Sequence, residues 1–130
     1  MVAIPSILIT DDDRGFRETL REVFAPRGFR TILAGDGEVA VEIIRQDSVH
    51  VLLVDMHMPR LTGLETLRLV KQEKSLLPCI LISAAMDSDL AREALAADAF
   101  SVLAKPVRLP EVTDVVNRAL AATYNWPIER

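Results

Sequence analysis

Five polar residues lie at or just after the ends of short apolar segments, and their types suit phosphoryl chemistry. They are Asp11, Asp12, Asp55, Ser83 and Lys105. Two carboxylates ~4 Å apart repel each other by about 4 kcal/mol at an effective dielectric near 20, so several stay ionised together only around a cation. A ligand set made only of oxygen atoms favours Mg²⁺ or Mn²⁺ over zinc. With a lysine and a hydroxyl beside it, such a site suits a phosphoryl group that a carboxylate attacks in line.

The segments before these residues predict short strands rich in isoleucine, valine and leucine. The predicted strands are Ser6–Thr10, Arg30–Ala34, Val49–Val54, Cys79–Ser83 and Ser101–Ala104. The first, third and fourth are apolar at nearly every position, which is typical of strands buried on both faces.

Helical spacing of apolar residues appears between and after the strands. The predicted apolar faces are Phe16, Leu20, Val23 and Phe24; Val39, Ala40, Ile43 and Ile44; Leu64, Leu67 and Val70; Leu90, Ala94 and Leu95; and Val112, Val115, Val116, Ala119 and Leu120. Pro26 and Gly28 mark the end of the first helix, and Pro110 fits the first turn of the fifth.

This alternation predicts an α/β fold with parallel strands, right-handed crossovers and helices on both faces of the sheet. If the strand order is 2-1-3-4-5, the five polar residues share the carboxyl edge of the sheet, where open α/β sheets bind ligands. We expect one domain over residues 1–122, with residues 123–130 as a tail or the start of a linker.

Composition narrows the function classes. The chain has 15 basic and 19 acidic residues among 130, a net charge of −4, which argues against direct nucleic-acid binding. No apolar segment approaches the ~20 residues of a membrane helix. The N-terminus lacks the features of a signal peptide, and the single cysteine, Cys79, fits a reducing cytoplasm. We therefore expect a cytoplasmic protein that does not bind membranes.

Four segments together resemble the receiver domain of two-component response regulators. They are Ile7–Asp13 (ILITDDD), Leu52–Glu65 (LLVDMHMPRLTGLE), Ile80–Ala84 (ILISA) and Leu103–Pro106 (LAKP). The resemblance spans about Ser6 to Ala122 and implies a flavodoxin-like (βα)5 three-layer sandwich.

The resemblance also implies the metal site. Asp55 matches the phosphoacceptor, and Asp11 and Asp12 match the acidic pair that binds Mg²⁺. The backbone carbonyl of His57 matches the position that usually completes the protein ligands.

Other positions match the family's phosphoryl contacts and loop. Ser83 corresponds to the hydroxyl residue that contacts the phosphoryl group, and Lys105 to the lysine that pairs with it. Pro106 matches a proline usually preceded by a cis peptide bond. Pro59 and Gly63 fit the loop after the phosphoacceptor.

One switch position departs from the family pattern. Three residues before the lysine, the family usually has an aromatic ring that swings inward as the hydroxyl residue moves, and this chain has Val102. Valine is stiff at χ1 and has no ring to move. We hypothesise that Phe100, on the same strand face if the strand extends that far, or a shift of the fourth helix partly replaces the ring.

Several nearby residues have simpler interpretations. Asp13 fits an acidic residue at a helix N-terminus. The ring of His57 is expected to be exposed, with an alternative role in how water reaches an acyl phosphate. His50 borders the third strand without a chemical role, and Cys79 fits a buried, inert thiol. Arg14, Arg17 and Arg21 form a solvated face or dock a phosphodonor.

The resemblance implies a signalling domain, not an enzyme, that catalyses only its own phosphorylation and dephosphorylation. A sensor histidine kinase or phosphotransfer protein would donate the phosphoryl group, and a downstream protein or missing output domain would respond. We expect a monomer or weak homodimer. A Mg²⁺-dependent phosphohydrolase is an alternative, although His57 stands where such enzymes commonly have a second aspartate. The second alternative is a degenerate receiver that is not phosphorylated and only binds a partner.

Overall fold

The computed structural model describes residues 4–126 and contains alternating strands and helices. The strands are β1 Ser6–Thr10, β2 Arg30–Ala34, β3 Val51–Asp55, β4 Cys79–Ser83 and β5 Ser101–Ala104. The helices are α1 Arg14–Phe24, α2 Gly37–Gln46, α3 Gly63–Glu73, α4 Ser88–Ala96 and α5 Leu109–Tyr124. A short 3₁₀ turn, Ala25–Arg27, follows α1, and Gly28 ends it with a left-handed φ of 90°.

All strand pairs are parallel, and the sheet order is β2-β1-β3-β4-β5. The prediction of fold class and strand order is therefore confirmed. The third strand begins at Val51 rather than Val49 and includes Asp55. Register places Asp55 beside Ile82 and Ser83 beside Ala104, so the ends of β3, β4 and β5 align.

Two buried clusters cover the two faces of the sheet. One includes Leu8, Leu52 and Leu81 with apolar residues of α2 and α3. The other includes Ile7 and Ile9 with apolar residues of α1 and α5. Because β1, β3 and β4 are buried at every position, they need the continuous apolar segments seen in the sequence.

Two predicted helix faces are partly wrong. Val39 in α2 is 44% exposed, and Val41 is buried in its place. Leu95 in α4 is 53% exposed, and Ala94 is the buried residue of that helix. The faces predicted for α3 and α5 are confirmed, since every residue named for them is buried.

The last helix continues past the expected domain boundary. It runs through Tyr124, so residue 122 lies inside α5, and Asn125 caps its end with a φ of 59°. Tyr124 donates a hydrogen bond from its hydroxyl to the carbonyl of His50 at 2.8 Å, and the Trp126 ring lies 4.8 Å from the His50 ring. Residues 127–130 of the expected tail lie outside the described residues.

In the part of the chain described here, no helix combines the length and apolar character needed to cross a membrane.

Candidate functional site

The sheet brings the predicted polar residues together at its carboxyl edge. Asp11 follows β1, Asp55 ends β3, Ser83 ends β4 and Lys105 follows β5. The Nζ atom of Lys105 lies 2.9 Å from Oδ2 of Asp11 and 3.1 Å from Oδ1 of Asp55. One ammonium group thus bridges two carboxylates that come from strands on either side of the switch point in strand order.

Three carboxylates converge in this cleft. Ligand oxygens of Asp11, Asp12 and Asp55 all lie within 4.8 Å of one another. Asp11 and Asp55 are buried and Asp12 is exposed, so the group opens to solvent on one side. Burial raises the pKa of Asp55, and the charge of Asp11 raises it further, while Lys105 opposes both effects. Two buried carboxylates with one lysine leave an excess of negative charge that suits a cation.

Lys105 is held as a cation by its neighbours. Burial by itself lowers the pKa of Lys105, but hydrogen bonds to Asp11 and Asp55 outweigh burial and the net shift is upward. Its Nζ also lies 4.3 Å from the centroid of the Phe16 ring, a cation–π contact that sequence reasoning missed. The signal available was the position of Phe16 in the first turn of α1, beside the carboxyl edge.

Backbone and side-chain contacts hold the segment after β1. Oδ1 of Asp11 accepts a hydrogen bond from the backbone N–H of Asp13 at 2.9 Å. Arg17 donates to the carbonyl of Asp11 at 2.6 Å, so Arg17 is not only part of a solvated face. The Asp13 carboxylate caps α1 by accepting from the N–H groups of Gly15 and Phe16, which agrees with its predicted role.

Ser83 is fully buried, and its hydroxyl oxygen accepts a hydrogen bond from the N–H of Ala85 at 3.0 Å. The same oxygen lies 3.2 Å from Nε2 of His57. His57 is exposed as a residue, as expected, but its ring reaches the site. Sequence reasoning missed this contact, which joins the loop after β3 to the end of β4, 26 residues apart.

The loop after β3 requires a glycine. A Cβ atom on Gly63 would lie 2.2 Å from the carbonyl oxygen of Asp55 and 2.7 Å from Cα of Met56. The N–H of Gly63 donates to the carbonyl of Met56 at 2.8 Å, which holds α3 against the end of β3. Pro59 lies exposed in this loop, and the adjacent Arg60 pairs with Asp36 at 2.7 Å. The hydrogen bond between Gly63 and Met56 therefore joins the two ends of the loop, and the Arg60 pair lies on its exposed side.

The end of β5 carries two further predicted positions. The peptide bond between Lys105 and Pro106 is cis, as the resemblance implies. Val102 pairs with Leu81 in the sheet and packs in the cluster on the α2 and α3 face. Phe100 packs in the cluster on the opposite face. The expectation that Phe100 lies on the same strand face as Val102 is therefore wrong, because β5 begins at Ser101 and strand alternation does not extend to Phe100.

Comparisons with known proteins agree with this geometry. The pattern of the response regulator receiver domain matches residues 7–117. Regulatory protein AtoC of Escherichia coli is 36% identical over 92% of this chain, which spans only 26% of that protein. Sporulation initiation phosphotransferase F of Bacillus subtilis is 32% identical, covering 92% of this chain and 96% of that protein. A chain in the crystal structure of the CheX-CheY-BeF3-Mg+2 complex from Borrelia burgdorferi has a TM-score of 0.85 and 26% identity, with 89% of each chain covered.

Proposed function

Because this chain belongs to the response regulator receiver domain family, we propose that it accepts a phosphoryl group on Asp55 and thereby switches a protein-interaction surface. The donor is a phosphohistidine on a sensor histidine kinase or phosphotransfer protein, and the reaction depends on Mg²⁺ or Mn²⁺. The bridging of Asp11 and Asp55 by Lys105 carries this proposal, since it places a buried carboxylate and a fixed cation at one point.

The donor set fits a hard divalent cation. Asp11, Asp12 and Asp55 supply carboxylate oxygens, and the backbone carbonyl of His57 is the fourth proposed ligand. When bound, Mg²⁺ would neutralise charge on the phosphoryl oxygens. Burial and the charge of Asp11 raise the pKa of Asp55 although Lys105 opposes them, and a divalent cation beside these carboxylates would stabilise the charged form.

The protein's own residues position the transfer. In this step the phosphorus–nitrogen bond of the donor breaks and a bond forms between phosphorus and a carboxylate oxygen of Asp55. The donor imidazole leaves with the electron pair and takes a proton from solvent. Lys105, 3.1 Å from the Asp55 oxygen, faces the new phosphoryl oxygens, and the buried hydroxyl of Ser83 lies at the end of the neighbouring strand.

The partners follow from this chemistry. A phosphohistidine protein docks at the open side of the cleft, where Asp12 is exposed. The signal then passes to a downstream protein or to an output domain. AtoC, which is about four times as long as the segment matched here, supports the second arrangement, and the phosphotransferase, matched over nearly its whole length, supports the first. We propose that the domain extends through α5 to Tyr124, two residues beyond the boundary expected from sequence.

Intact-mass measurement after incubation with acetyl phosphate and Mg²⁺ tests the proposal. The wild type should gain one hydroxylamine-labile phosphoryl group, and Asp55→Asn should gain none. Asp89→Asn, which removes an exposed carboxylate on α4, is the matched control and should be phosphorylated like the wild type. A folded wild type that gains no adduct in excess Mg²⁺ would contradict the proposal and favour a receiver that only binds a partner.

A further inference from the structure

We propose that His57 is a positioning residue that holds the Ser83 hydroxyl away from Asp55 until a phosphoryl group arrives. This inference rests on the proposed function. The His57 imidazole restrains the Ser83 hydroxyl by a hydrogen bond, which the apolar side chain of Val102 cannot do. Release of this hydrogen bond is then part of the response to phosphorylation.

The Ser83 hydroxyl can donate only one hydrogen bond at a time. Ser83 has a single O–H proton and two acceptor positions. One acceptor position is used by the N–H of Ala85 at 3.0 Å. Nε2 of His57, at 3.2 Å, accepts a hydrogen bond from the Ser83 hydroxyl when that nitrogen is the unprotonated one of the ring. A phosphoryl oxygen on Asp55 needs the same proton, so the imidazole and the phosphoryl group compete for it.

The surroundings of Ser83 provide no other restraint of this kind among the described residues. Ser83 is fully buried, and its hydroxyl has hydrogen bonds only with Ala85 and His57. Val102 packs against the apolar cluster on the α2 and α3 face and has no polar side-chain group. Phe100 lies on the other face of the sheet. The His57 ring is thus the side chain that can hold the hydroxyl in one rotamer before phosphorylation.

The contact between His57 and Ser83 also joins the loop after β3 to the end of β4, on either side of Asp55. His57 lies two residues after Asp55, and Ser83 ends the adjacent strand. When the hydroxyl turns to a phosphoryl oxygen, the bond between the β3–α3 loop and the end of β4 is lost. The loop and the segment leading to α4 are then free to move relative to each other.

A double-mutant cycle with beryllium fluoride and Mg²⁺ as the phosphoryl mimic tests this assignment. Loss of the ring frees the hydroxyl, so His57→Ala should bind the mimic about fivefold more tightly than the wild type, the scale of one net hydrogen bond. In a Ser83→Ala background, His57→Ala should change the affinity by less than about twofold, because the group through which it acts is gone. Arg60→Ala, in the same loop but paired with Asp36, is the control and should bind like the wild type.

Nitrogen-15 NMR of the unphosphorylated protein provides a second readout. The shift of His57 Nε2 should be that of an unprotonated nitrogen accepting a hydrogen bond, and this signature should be lost in Ser83→Ala. A protonated Nε2 would overturn the proposal, because the ring would then leave the Ser83 proton free.

The affinity results separate the two proposals. Unchanged or weaker binding by His57→Ala, with normal phosphorylation of the wild type, overturns the role of His57 and leaves the phosphoacceptor role of Asp55 intact. An equal effect of His57→Ala with and without the Ser83 hydroxyl also overturns it, because the ring would act directly on the mimic. A wild type that forms no acetyl phosphate adduct overturns the proposed function itself, and the role of His57 with it.

Discussion

Replacing Gly63 with alanine should damage both the stability and the phosphorylation of this domain. The new Cβ would lie 2.2 Å from the Asp55 carbonyl oxygen, whereas ordinary contacts begin at 3.4 Å, so atoms must move by about 3.4 − 2.2 = 1.2 Å. The obstacle is backbone, not the end of a flexible side chain. Asp55 ends β3, which pairs with β1 on one side and with β4 on the other. The N–H of Met56 also donates to the carbonyl of Ile82 at 2.8 Å, so the end of β3 cannot shift alone.

The expected cost is at the upper end of the usual range for overpacking. Such substitutions cost about 1–3 kcal/mol and occasionally more, and we expect about 3 kcal/mol here after any gain in helix propensity. For a domain of this size, that corresponds to a decrease in Tm of roughly 10 °C. Displacement of the Asp55 backbone should also slow formation of the acetyl phosphate adduct. Thermal and urea unfolding measure the first effect, and intact mass against time measures the second.

Gly15→Ala, in the first turn of α1, is the matched control. Its Cβ would lie 3.3 Å from the Asp13 carboxylate, a side-chain atom that can give by a few tenths of an ångström. Helix propensity then favours alanine by at most ~1 kcal/mol, so its stability should stay within about 1 kcal/mol of the wild type. If Gly63→Ala melts within about 2 °C of the wild type and is phosphorylated at the same rate, close approach to the Asp55 backbone is not what requires glycine at this position.

Charge and burial also determine how this protein should respond to Mg²⁺, to thiol reagents and to pH. Mg²⁺ at 100 times its Kd should raise the free energy of unfolding by about 2.7 kcal/mol, and so raise the Tm, in the wild type and in Asp89→Asn. An equal rise in Asp12→Asn would contradict the metal site. Burial raises the pKa of Cys79 to about 12, so a thiol reagent should label it only in unfolded protein, and fast labelling of folded protein would refute this. Burial lowers the pKa of His50, so the unfolded chain binds the proton more readily and the free energy of unfolding should fall as pH drops through about 6.5. Urea unfolding should show a smaller fall in His50→Gln, and an identical pH profile would count against the assignment.

The sheet and its carboxyl edge were predictable because burial on both faces demands continuous apolar segments. Val51–Asp55 is buried at every position, and the polar residue that ends it is therefore conspicuous in the sequence. Parallel strands joined by helices bring such strand ends together, which is why Asp11, Asp55 and Lys105 could be predicted to meet although 94 residues separate the first and last.

Helix faces were less predictable where two apolar stripes overlap. In α2, both Val39 and Val41 have helical spacing that could place them on the apolar face with Ala40 and Ile44. Only packing against the sheet decides that Val41 is the buried one. Leu95 fits the spacing of α4, but that helix buries only Ala94.

Contacts between loops leave no periodic signal. The approach of His57 to Ser83 and of Phe16 to Lys105 depends on side-chain rotamers at the ends of separate strands. Spacing along the chain says where these residues lie, but not which way their side chains turn.

The cluster on the α1 and α5 face joins the first strand of the chain to its last helix. Ile7 and Ile9 share it with Val112, Val116 and other residues of α5. During synthesis on the ribosome, the strand that contributes Ile7 and Ile9 emerges about a hundred residues before the helix that covers it. An unfinished chain therefore lacks the part of this cover that α5 supplies, although α1 is already present. Completion of this core waits for α5, so a nascent chain paused before Leu109 should expose apolar surface of the kind that makes folding intermediates prone to aggregate.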